Sequence, residues 1–299
     1  MKLKLLALSL FCPMAFAATS ITGAGSTFIY PVLSQWTTSY AAKTGTQVNY
    51  QSIGSGGGIS QIKAGTVDFA ATDKPLAPAE LKAAKLLQFP VIHGGIVLSE
   101  NLHTANPLVL DDAVISGIYL GQIKYWNAPA IKALNPSLTL PHKAITVLYR
   151  ADGSGTTYNF TKYLSAVNPT FAKTVGADTS VKFPVGLGAK GNAGVANFVK
   201  TIPGSIGYVE YAYAAQNNLA MASFKNSKGK VIAPSPQNFG NGSYPIMATT
   251  YALVPENSPK LKQIEAFFTY AYTQTMPAKK LGYIPLNGNE IKKIETSWK

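Results

Sequence analysis

The stretch Arg150-Ala151-Asp152-Gly153-Ser154-Gly155-Thr156-Thr157 decides how this chain is organised. The residues before it, 145–149, are β-branched, aromatic and apolar, as in a buried strand, and those after it, 158–167, carry apolar residues at helical spacing. The pattern therefore indicates a strand, a glycine-rich turn and the beginning of a helix. At a helix N-terminus the first N–H groups have no partner within the helix, and the macrodipole is positive. The segment predicts an anion site, although an ordinary capped helix would use the same residue types.

Arg150 and three other features strengthen that prediction. Arg150 is the only arginine among 26 lysines and arginines, and its planar guanidinium suits an oxyanion. Two more glycine- and serine-rich turns, at 22–28 and 54–58, lie between a predicted strand and a helix, and Asp73 follows a strand at 67–71. Strands that alternate with helices predict open α/β sheets, whose ligands bind beyond the carboxyl ends of the strands. We therefore expect these features to meet at one edge of a sheet.

Hydrophobic periodicity and turn residues divide the rest of the chain into further elements. Helices are predicted at 28–43, 59–64, from 78 onwards, and at 113–126, 191–201, 258–275 and 290–298. Strands are predicted at 48–53, 89–98, 206–209 and 245–253. Residues 225–245 are rich in Asn, Gly, Pro and Ser and are predicted to form surface loops.

Residues 1–17 have the pattern of a signal peptide, with an initial basic region, an apolar region and a cleavage site of small residues. The only cysteine, Cys12, lies in this segment, so the mature protein is predicted to have neither a thiol nor a disulfide. No later stretch reaches about 18 consecutive apolar residues, and we therefore expect an exported, soluble protein. A mature chain of about 280 residues is long enough for two domains.

The net charge favours small anions as partners. It is +13, or +11 without Lys2 and Lys4 of the predicted signal peptide. The lysines are dispersed, with no run longer than the pairs at 279–280 and 292–293. A nucleic-acid-binding protein would concentrate its positive charge in a patch, whereas a dispersed positive field draws in small anions.

The donors at the predicted sheet edge suit a small tetrahedral oxyanion. They are backbone N–H groups and hydroxyls at 26–27, 55 and 154–156, together with the Arg150 guanidinium. Asp73 suits such a site only if the ligand brings a proton to it; phosphate keeps a proton at neutral pH, whereas sulfate has none. Asp152 is predicted to hold the guanidinium of Arg150. The alternative is that both aspartates cap turns.

Enzyme functions find little support in the sequence. Neither a G-x-S-x-G nor a G-x-x-x-x-G-K-[ST] motif is present. The three histidines, His93, His103 and His142, are widely scattered and have no H-E-x-x-H spacing. We therefore expect a binding protein that is not an enzyme and that needs neither a metal nor a cofactor.

Several motifs resemble those of the periplasmic phosphate-binding proteins of phosphate ABC transporters. They are at 22–28, 53–57, 67–73 and 150–156, and the likeness continues in order through 89–90, 118–123, 186–188, 204–211 and 244–246. The resemblance implies an α/β fold with two lobes, of the type II-like class of periplasmic binding proteins, and two chain crossings near Ile92-His93 and Pro245-Ile246. It places residues 18–92 and 246–299 in one lobe and residues 93–245 in the other.

The resemblance also implies a ligand site. The family's phosphate contacts match Thr27, Phe28 (through its backbone N–H), Ser55, Asp73, Arg150, Ser154, Gly155 and Thr156, with Asp152 supporting Arg150. One departure from the family's pattern is Lys74, directly after Asp73, whose charge we expect to weaken the negative field of the carboxylate.

The implied function is to bind inorganic phosphate between the lobes and to deliver it to a membrane ABC permease. The resemblance implies a monomer in the periplasm. Two alternatives remain open: a secreted or surface-displayed phosphate-binding adhesin or scavenger, and a binder of another oxyanion such as sulfate or molybdate.

Overall fold

The structure, a computed structural model, describes residues 20–298. The predicted signal peptide at 1–17 lies outside the described residues. The strands are β1 Ser20–Gly25, β2 Gln47–Ser52, β3 Phe69–Thr72, β4 Leu86–Glu100, β5 Val109–Leu110, β6 Thr146–Arg150, β7 Leu187–Ala189, β8 Ser205–Glu210, β9 Ala220–Met221, β10 Ser223–Lys225, β11 Val231–Ile232 and β12 Met247–Pro255. The helices are α1 Tyr30–Thr44, α2 Ser55–Lys63, α3 Pro78–Ala84, α4 Asp112–Tyr119, α5 Pro129–Leu134, α6 Gly155–Val167, α7 Pro169–Thr174, α8 Gly191–Thr201, α9 Tyr211–Gln216, α10 Pro236–Gly240, α11 Leu261–Thr273, α12 Thr275–Lys280 and α13 Gly288–Ser297. Within residues 20–298, no helix is both long and apolar enough to span a membrane.

One long strand joins two halves of a nine-stranded sheet. The strand order is β2-β1-β3-β12-β4-β8-β6-β7, and β9 pairs with β4 outside this path. Strands β1, β2 and β3 are parallel to one another, as are β6, β7 and β8. Strand β4 is antiparallel to β12 as far as Gly95 and antiparallel to β8 from Ile96 onwards. Each half is thus a parallel α/β unit, and the molecule has the two-lobed architecture of periplasmic binding proteins.

Each lobe has an aromatic cluster in its core. In the lobe of β1–β3, the ring of Phe69 lies 5.5 Å from that of Phe268, between centroids. In the lobe of β6–β8, Phe160 stacks on Tyr208 with the centroids 4.3 Å apart. All four rings are 0–1% exposed. Burial of these rings therefore stabilises both lobes, and the hydrophobic core that contains them is continuous through the two halves.

Most predicted elements are present, with small differences in bounds. Helix α8 has the predicted bounds, and α6 ends at the predicted residue, Val167. Helix α2 begins at Ser55, four residues before its prediction, and therefore includes three successive glycines, 56–58. A β-carbon at Gly58 would lie 2.5 Å from the Cα of Gly25, so this glycine allows a close contact between α2 and β1.

Two predictions of local structure were wrong. The helix predicted at 113–126 ends at Tyr119, because Gly121 adopts φ of 72°, which stops a helix, and Trp126 is instead buried under a loop. The segment 225–245, predicted as surface loops, contains β11 and α10 and buries Phe239 and Tyr244, each 3% exposed. Burial of these two aromatic side chains stabilises an ordered structure in a segment whose composition is mostly polar.

Candidate functional site

Glycine-rich turns from both lobes meet in one buried place. The N–H of Gly56, in the first turn of α2, donates to the carbonyl of Gly153 in the opposite lobe at 2.8 Å. Gly155, the first residue of α6, is so close to the opposite lobe that a β-carbon there would lie 2.5 Å from the Cβ of Asp73 and 2.6 Å from the Oγ of Ser55. The structure therefore brings the sequence-predicted turns together between the lobes.

Arg150 ends β6, and its side chain is only 1% exposed. Its Nε donates to Oδ1 of Asp152 at 2.8 Å, and its Nη2 donates to Oδ2, so the pair is bidentate. The remaining nitrogen, Nη1, lies 3.3 Å from the Oγ1 of Thr156. Burial alone would raise the pKa of Asp152, but the hydrogen bonds and charge of Arg150 and the N–H of Gly191 hold that pKa below its ordinary value. Asp152 thus stays ionised and fixes the guanidinium.

The N-terminus of α6 supplies donors next to Arg150. The Oγ of Ser154 caps the helix by accepting from the N–H of Thr157 at 3.1 Å, which leaves the hydroxyl proton of Ser154 to donate. Among residues 20–298, no group accepts a hydrogen bond from the N–H of Gly155 or Thr156. These two N–H groups lie at the positive end of the helix dipole, where an anion binds best.

Asp73 lies just beyond β3 and is 2% exposed. The hydroxyls of Ser26 and Thr250 donate to its Oδ1 at 2.7 and 2.6 Å, and the Oγ of Ser55 lies 3.3 Å from its Oδ2. Burial raises the pKa of Asp73 to about 6, although these hydrogen bonds and the charge of Arg150 act in the opposite direction. A carboxylate in this position accepts hydrogen bonds readily and costs free energy beside a second anion.

Thr27 and Phe28 lie between β1 and α1. The Oγ1 of Thr27 accepts from the Nδ2 of Asn192 at 2.8 Å, and its carbonyl accepts from the hydroxyl of Tyr213 at 2.7 Å. The N–H of Phe28 donates to the Oγ of Ser26 at 3.0 Å. An anion bound at Phe28 would therefore replace a neutral hydroxyl acceptor with a charged one, which forms the stronger hydrogen bond.

Sequence reasoning missed four side chains of the site. Asn192 lies in the first turn of α8 and Thr250 lies in β12, and both are 0% exposed. Asn159 of α6 donates from Nδ2 to the carbonyl of Asp73 at 2.7 Å, and Tyr213 of α9 contacts Thr27. Asn192 gave one available signal, its place in the first turn of a correctly predicted helix. Thr250 gave none, because it lies within an apolar strand pattern.

Two cavities flank the buried site. One, of about 420 Å³, is bordered by Asp73 and Asn159. The other, of about 340 Å³, is bordered by Thr27, Asp152 and Lys190. A water molecule takes up about 30 Å³ of liquid, so each cavity has room for several waters or for a small anion with part of its hydration shell.

Lys74 turns to the opposite lobe. We expected its charge to weaken the field of Asp73, but its Nζ contacts Oδ1 of Asp178 at 2.7 Å. It also lies 5.5 Å from the ring centre of Tyr158. Because its ammonium group is occupied by a partner in the other lobe, Lys74 forms a bridge between the lobes next to the site.

The histidines lie apart from one another. His93 contacts Thr249 and Glu290, and His142 contacts Asn127. In the part of the chain that the structure describes, no three His, Cys, Asp or Glu side chains come together as in a metal site.

Comparisons with known proteins agree with this architecture. The family model of the PBP superfamily domain matches residues 14–275. The phosphate-binding protein PstS of Pasteurella multocida is 45% identical over 311 residues, covering 94% of this chain and 90% of that protein. The phosphate-binding protein PstS of Xylella fastidiosa is 43% identical over 310 residues, covering 94% of this chain and 85% of that protein.

A solved structure has the same fold. It is a putative phosphate ABC transporter substrate-binding protein with bound phosphate from Clostridium perfringens. The two structures superpose with a TM-score of 0.71 and 21% sequence identity, over 90% of this chain and 100% of that one. At this identity the likeness speaks for the fold alone.

Proposed function

This chain belongs to the phosphate-binding proteins of the PBP superfamily, and from that premise we propose that it binds inorganic phosphate between its two lobes and delivers it to a membrane ABC permease. The proposed phosphate contacts are the predicted positions Thr27, Phe28, Ser55, Asp73, Arg150, Ser154, Gly155 and Thr156.

One observation carries the proposal: the site has a cluster of donors on one side and a buried acceptor on the other. The free N–H groups of α6 and the guanidinium of Arg150 suit the unprotonated oxygens of an anion. Asp73 suits an oxygen that still carries a proton. Phosphate has both kinds of oxygen at neutral pH, whereas sulfate has only the first kind.

We propose that the lobes are residues 18–92 with 246–299, and residues 93–245, and that they close over the ligand about the crossings at 92–93 and 245–246. The change of partner along β4, between Gly95 and Ile96, lies close to the first crossing and supports this division. Strand β12 begins at Met247, beside the second crossing.

The transport role rests on the relatives and on the N-terminal sequence. The curated relatives are named phosphate-binding proteins, and the neighbour from Clostridium perfringens is described as a substrate-binding protein of a phosphate ABC transporter. Residues 1–17 have the signal-peptide pattern of an exported protein. We therefore propose that the protein works in the periplasm, as a monomer that binds its ligand without catalysing a reaction on it.

Titration calorimetry tests the ligand. Phosphate and arsenate should both bind the protein with a stoichiometry of one, because both carry a proton at neutral pH, and sulfate should not compete with either. Binding of sulfate with the affinity of phosphate would exclude the proposed role of Asp73. Failure to bind any of the three anions would overturn the proposed function.

Replacement of Arg150 tests the site. Arg150→Ala should lower phosphate affinity by about 2–5 kcal/mol, because the ligand loses a buried charge-assisted partner. Lys173→Ala is the matched control, since it removes one exposed positive charge from the same lobe and should leave affinity within about twofold. Circular dichroism checks that both variants fold. Unchanged affinity in folded Arg150→Ala would show that phosphate binds elsewhere.

A further inference from the structure

We propose that Asn192 fixes the direction of the hydroxyl protons of Thr27 and Thr156, so that both hydroxyls can only donate to the ligand. This inference rests on the proposed function, because it concerns the same interlobe site. It assigns to Asn192 a positioning role in phosphate recognition, exerted through two threonines that come from opposite lobes.

The contacts of Asn192 define its orientation. Its Oδ1 accepts from the backbone N–H of Glu210 at 3.0 Å, so the other end of the amide must be the NH₂ group. Its Nδ2 lies 2.8 Å from the Oγ1 of Thr27 and 3.2 Å from the Oγ1 of Thr156. An NH₂ group has two protons and no acceptor, so it donates one hydrogen bond to each threonine.

The two hydroxyls are then left with only their protons. A hydroxyl has one proton and two acceptor positions. The Oγ1 of Thr27 accepts from Nδ2 and from the backbone N–H of Asn192, the latter at 3.2 Å. The Oγ1 of Thr156 accepts from Nδ2 of Asn192 and from Nη1 of Arg150. Both acceptor positions of each oxygen are filled, and each hydroxyl has one remaining interaction, donation of its proton.

This arrangement orients the ligand. Oxygens of phosphate that face Thr27 and Thr156 must be unprotonated, because those hydroxyls cannot accept. The ligand's proton is thereby directed to the opposite side of the site, where Asp73 can accept it. Thr27 belongs to one lobe and Asn192 to the other. The hydroxyl proton of Thr27 is therefore directed toward the ligand only when the lobes are closed.

Asn192→Asp tests whether Asn192 sets the direction of the two hydroxyl protons, because the substitution leaves the shape of the side chain almost unchanged. One carboxylate oxygen still accepts from the N–H of Glu210, while the other replaces a donor with an acceptor. The hydroxyls of Thr27 and Thr156 should turn to donate to the new carboxylate, so phosphate loses two donors and meets an added negative charge. We expect phosphate affinity at pH 8 to fall on the order of 100-fold or more.

Asn192→Ala and Asn197→Asp are the matched comparisons. Asn192→Ala removes the donor without adding an acceptor, so it should weaken binding less than Asn192→Asp does. Asn197→Asp adds the same charge to an exposed position of α8 and should stay within about twofold of wild type. Equal or tighter binding by Asn192→Asp than by Asn192→Ala at pH 8 would overturn the inference.

The pH dependence of phosphate affinity distinguishes this role of Asn192 from a purely structural one, which would not change it. The new carboxylate regains a donor proton as the pH falls, so the affinity ratio of wild type to Asn192→Asp should shrink between pH 8 and pH 5.5. The other titratable or charged groups around this position are common to both proteins and largely cancel in the ratio; they are Asp73, Arg150, Asp152, Glu210 and Tyr213. A ratio independent of pH would contradict the assignment.

A double-mutant cycle decides the question if Asn192→Asp does not fold. Asn192→Ala should cost less phosphate affinity in a Thr27→Val background than in wild type, because one of the two hydroxyls through which Asn192 acts is already gone. Equal costs would overturn the inference while wild-type binding kept the proposed function intact. Absence of phosphate binding by the wild type would instead overturn both.

Discussion

The most unusual residue of the site is Asp73, a buried carboxylate in a cluster of anion-binding groups. It accepts from Ser26 and Thr250, and Ser55 lies within hydrogen-bonding distance. Burial raises its pKa to about 6, against the opposite effect of these contacts and of the charge of Arg150. A group of this kind stabilises a ligand that donates a proton to it and repels one that has none. Asp73 therefore has a role in selectivity as well as in binding.

Asp73→Asn should admit sulfate to the site. The substitution removes the charge at nearly constant shape, so the repulsion of a fully ionised anion disappears while phosphate binding remains measurable. Competition of sulfate against labelled phosphate provides the measurement, with Asp68→Asn, a variant of another carboxylate in the same lobe, as the control. Equal exclusion of sulfate by wild type and Asp73→Asn would mean that the backbone donors alone decide selectivity.

The raised pKa of Asp73 arises in the closed arrangement of the lobes, and it predicts how that arrangement responds to pH when no ligand is bound. The folded state holds the Asp73 proton more tightly than the unfolded chain, whose pKa is near 3.8. This stabilisation is complete below about pH 4 and is lost as the pH rises through about 6. The free energy of unfolding of wild type minus that of Asp73→Asn should therefore fall by about 2–3 kcal/mol from pH 4 to pH 7. Urea denaturation in buffers without phosphate or sulfate measures it, and a constant or rising difference would contradict the assigned shift.

At the scale of elements, glycine allows helix ends from the two lobes to approach each other. A β-carbon at Gly54 would lie 2.3 Å from Oδ2 of Asp152, and Gly54 has φ of 91°, which disfavours other residues. Gly155 belongs to the other lobe, and a β-carbon there would be similarly close to Asp73 and Ser55. The glycines thus matter for the closed arrangement of the lobes as well as for the local turns.

Gly155→Ala should give a stable protein that cannot close. Alanine suits a helix at least as well as glycine does, so the lobe that contains α6 should keep its stability. The added methyl group would collide with Asp73 and Ser55 when the lobes meet, and phosphate binding should be strongly weakened. Small-angle scattering should show that phosphate lowers the radius of gyration of wild type but not of this variant. Gly288→Ala is the control, because nothing lies within 4 Å of a β-carbon there; normal closure of Gly155→Ala would show that the contact yields easily.

The strand, turn and helix around Arg150 could be predicted from the sequence because their signals are local: an apolar strand, glycines and a helical repeat. The contributions of Thr250 and Asn192 could not, since they depend on which strands and helices become neighbours in the sheet. Thr250 reaches Asp73 only because β12 lies between β3 and β4 in the sheet, and these two strands are far from β12 in the sequence. Sequence patterns thus located the proposed ligand contacts and the partner of Arg150, but missed Thr250 and Asn192, which contact those groups from elements distant in the sequence.

At the scale of the whole molecule, the lobes are joined by shared strands and by contacts across the cleft. Where β4 changes partner, a β-carbon at Gly94 would lie 2.7 Å from the ring of Phe28, and one at Gly95 would lie 2.5 Å from the ring of Phe239. Aromatic rings therefore pack directly on the backbone of the proposed hinge. This packing supports a fixed axis of closure at this point in β4.

The Lys74–Asp178 ion pair is a contact across the cleft near its surface. Both side chains are partly exposed, 32% and 53%, so solvent screens the pair, and its expected contribution is at most about 1 kcal/mol. Because the two residues belong to opposite lobes, we expect opening of the cleft to separate them. It should therefore slow opening and ligand release more than it changes the stability of either lobe.

Lys74→Ala should release phosphate about two- to fivefold faster than wild type at low ionic strength, a factor that corresponds to about 0.4–1 kcal/mol. The difference should shrink at high salt because the pair is screened. Asp178→Ala should have a similar effect, and the double variant should add little, since either single change already removes the contact. Stopped-flow measurement of phosphate release tests this, with Lys63→Ala as the control, because Lys63 pairs with Glu80 within one lobe.

Sulfate should stay excluded from Lys74→Ala, since Lys74 contacts Asp178 and leaves the charge of Asp73 in place. Release at the wild-type rate would show that the pair does not hold the lobes together, and stronger exclusion of sulfate than by wild type would show that Lys74 acts on the field of the carboxylate.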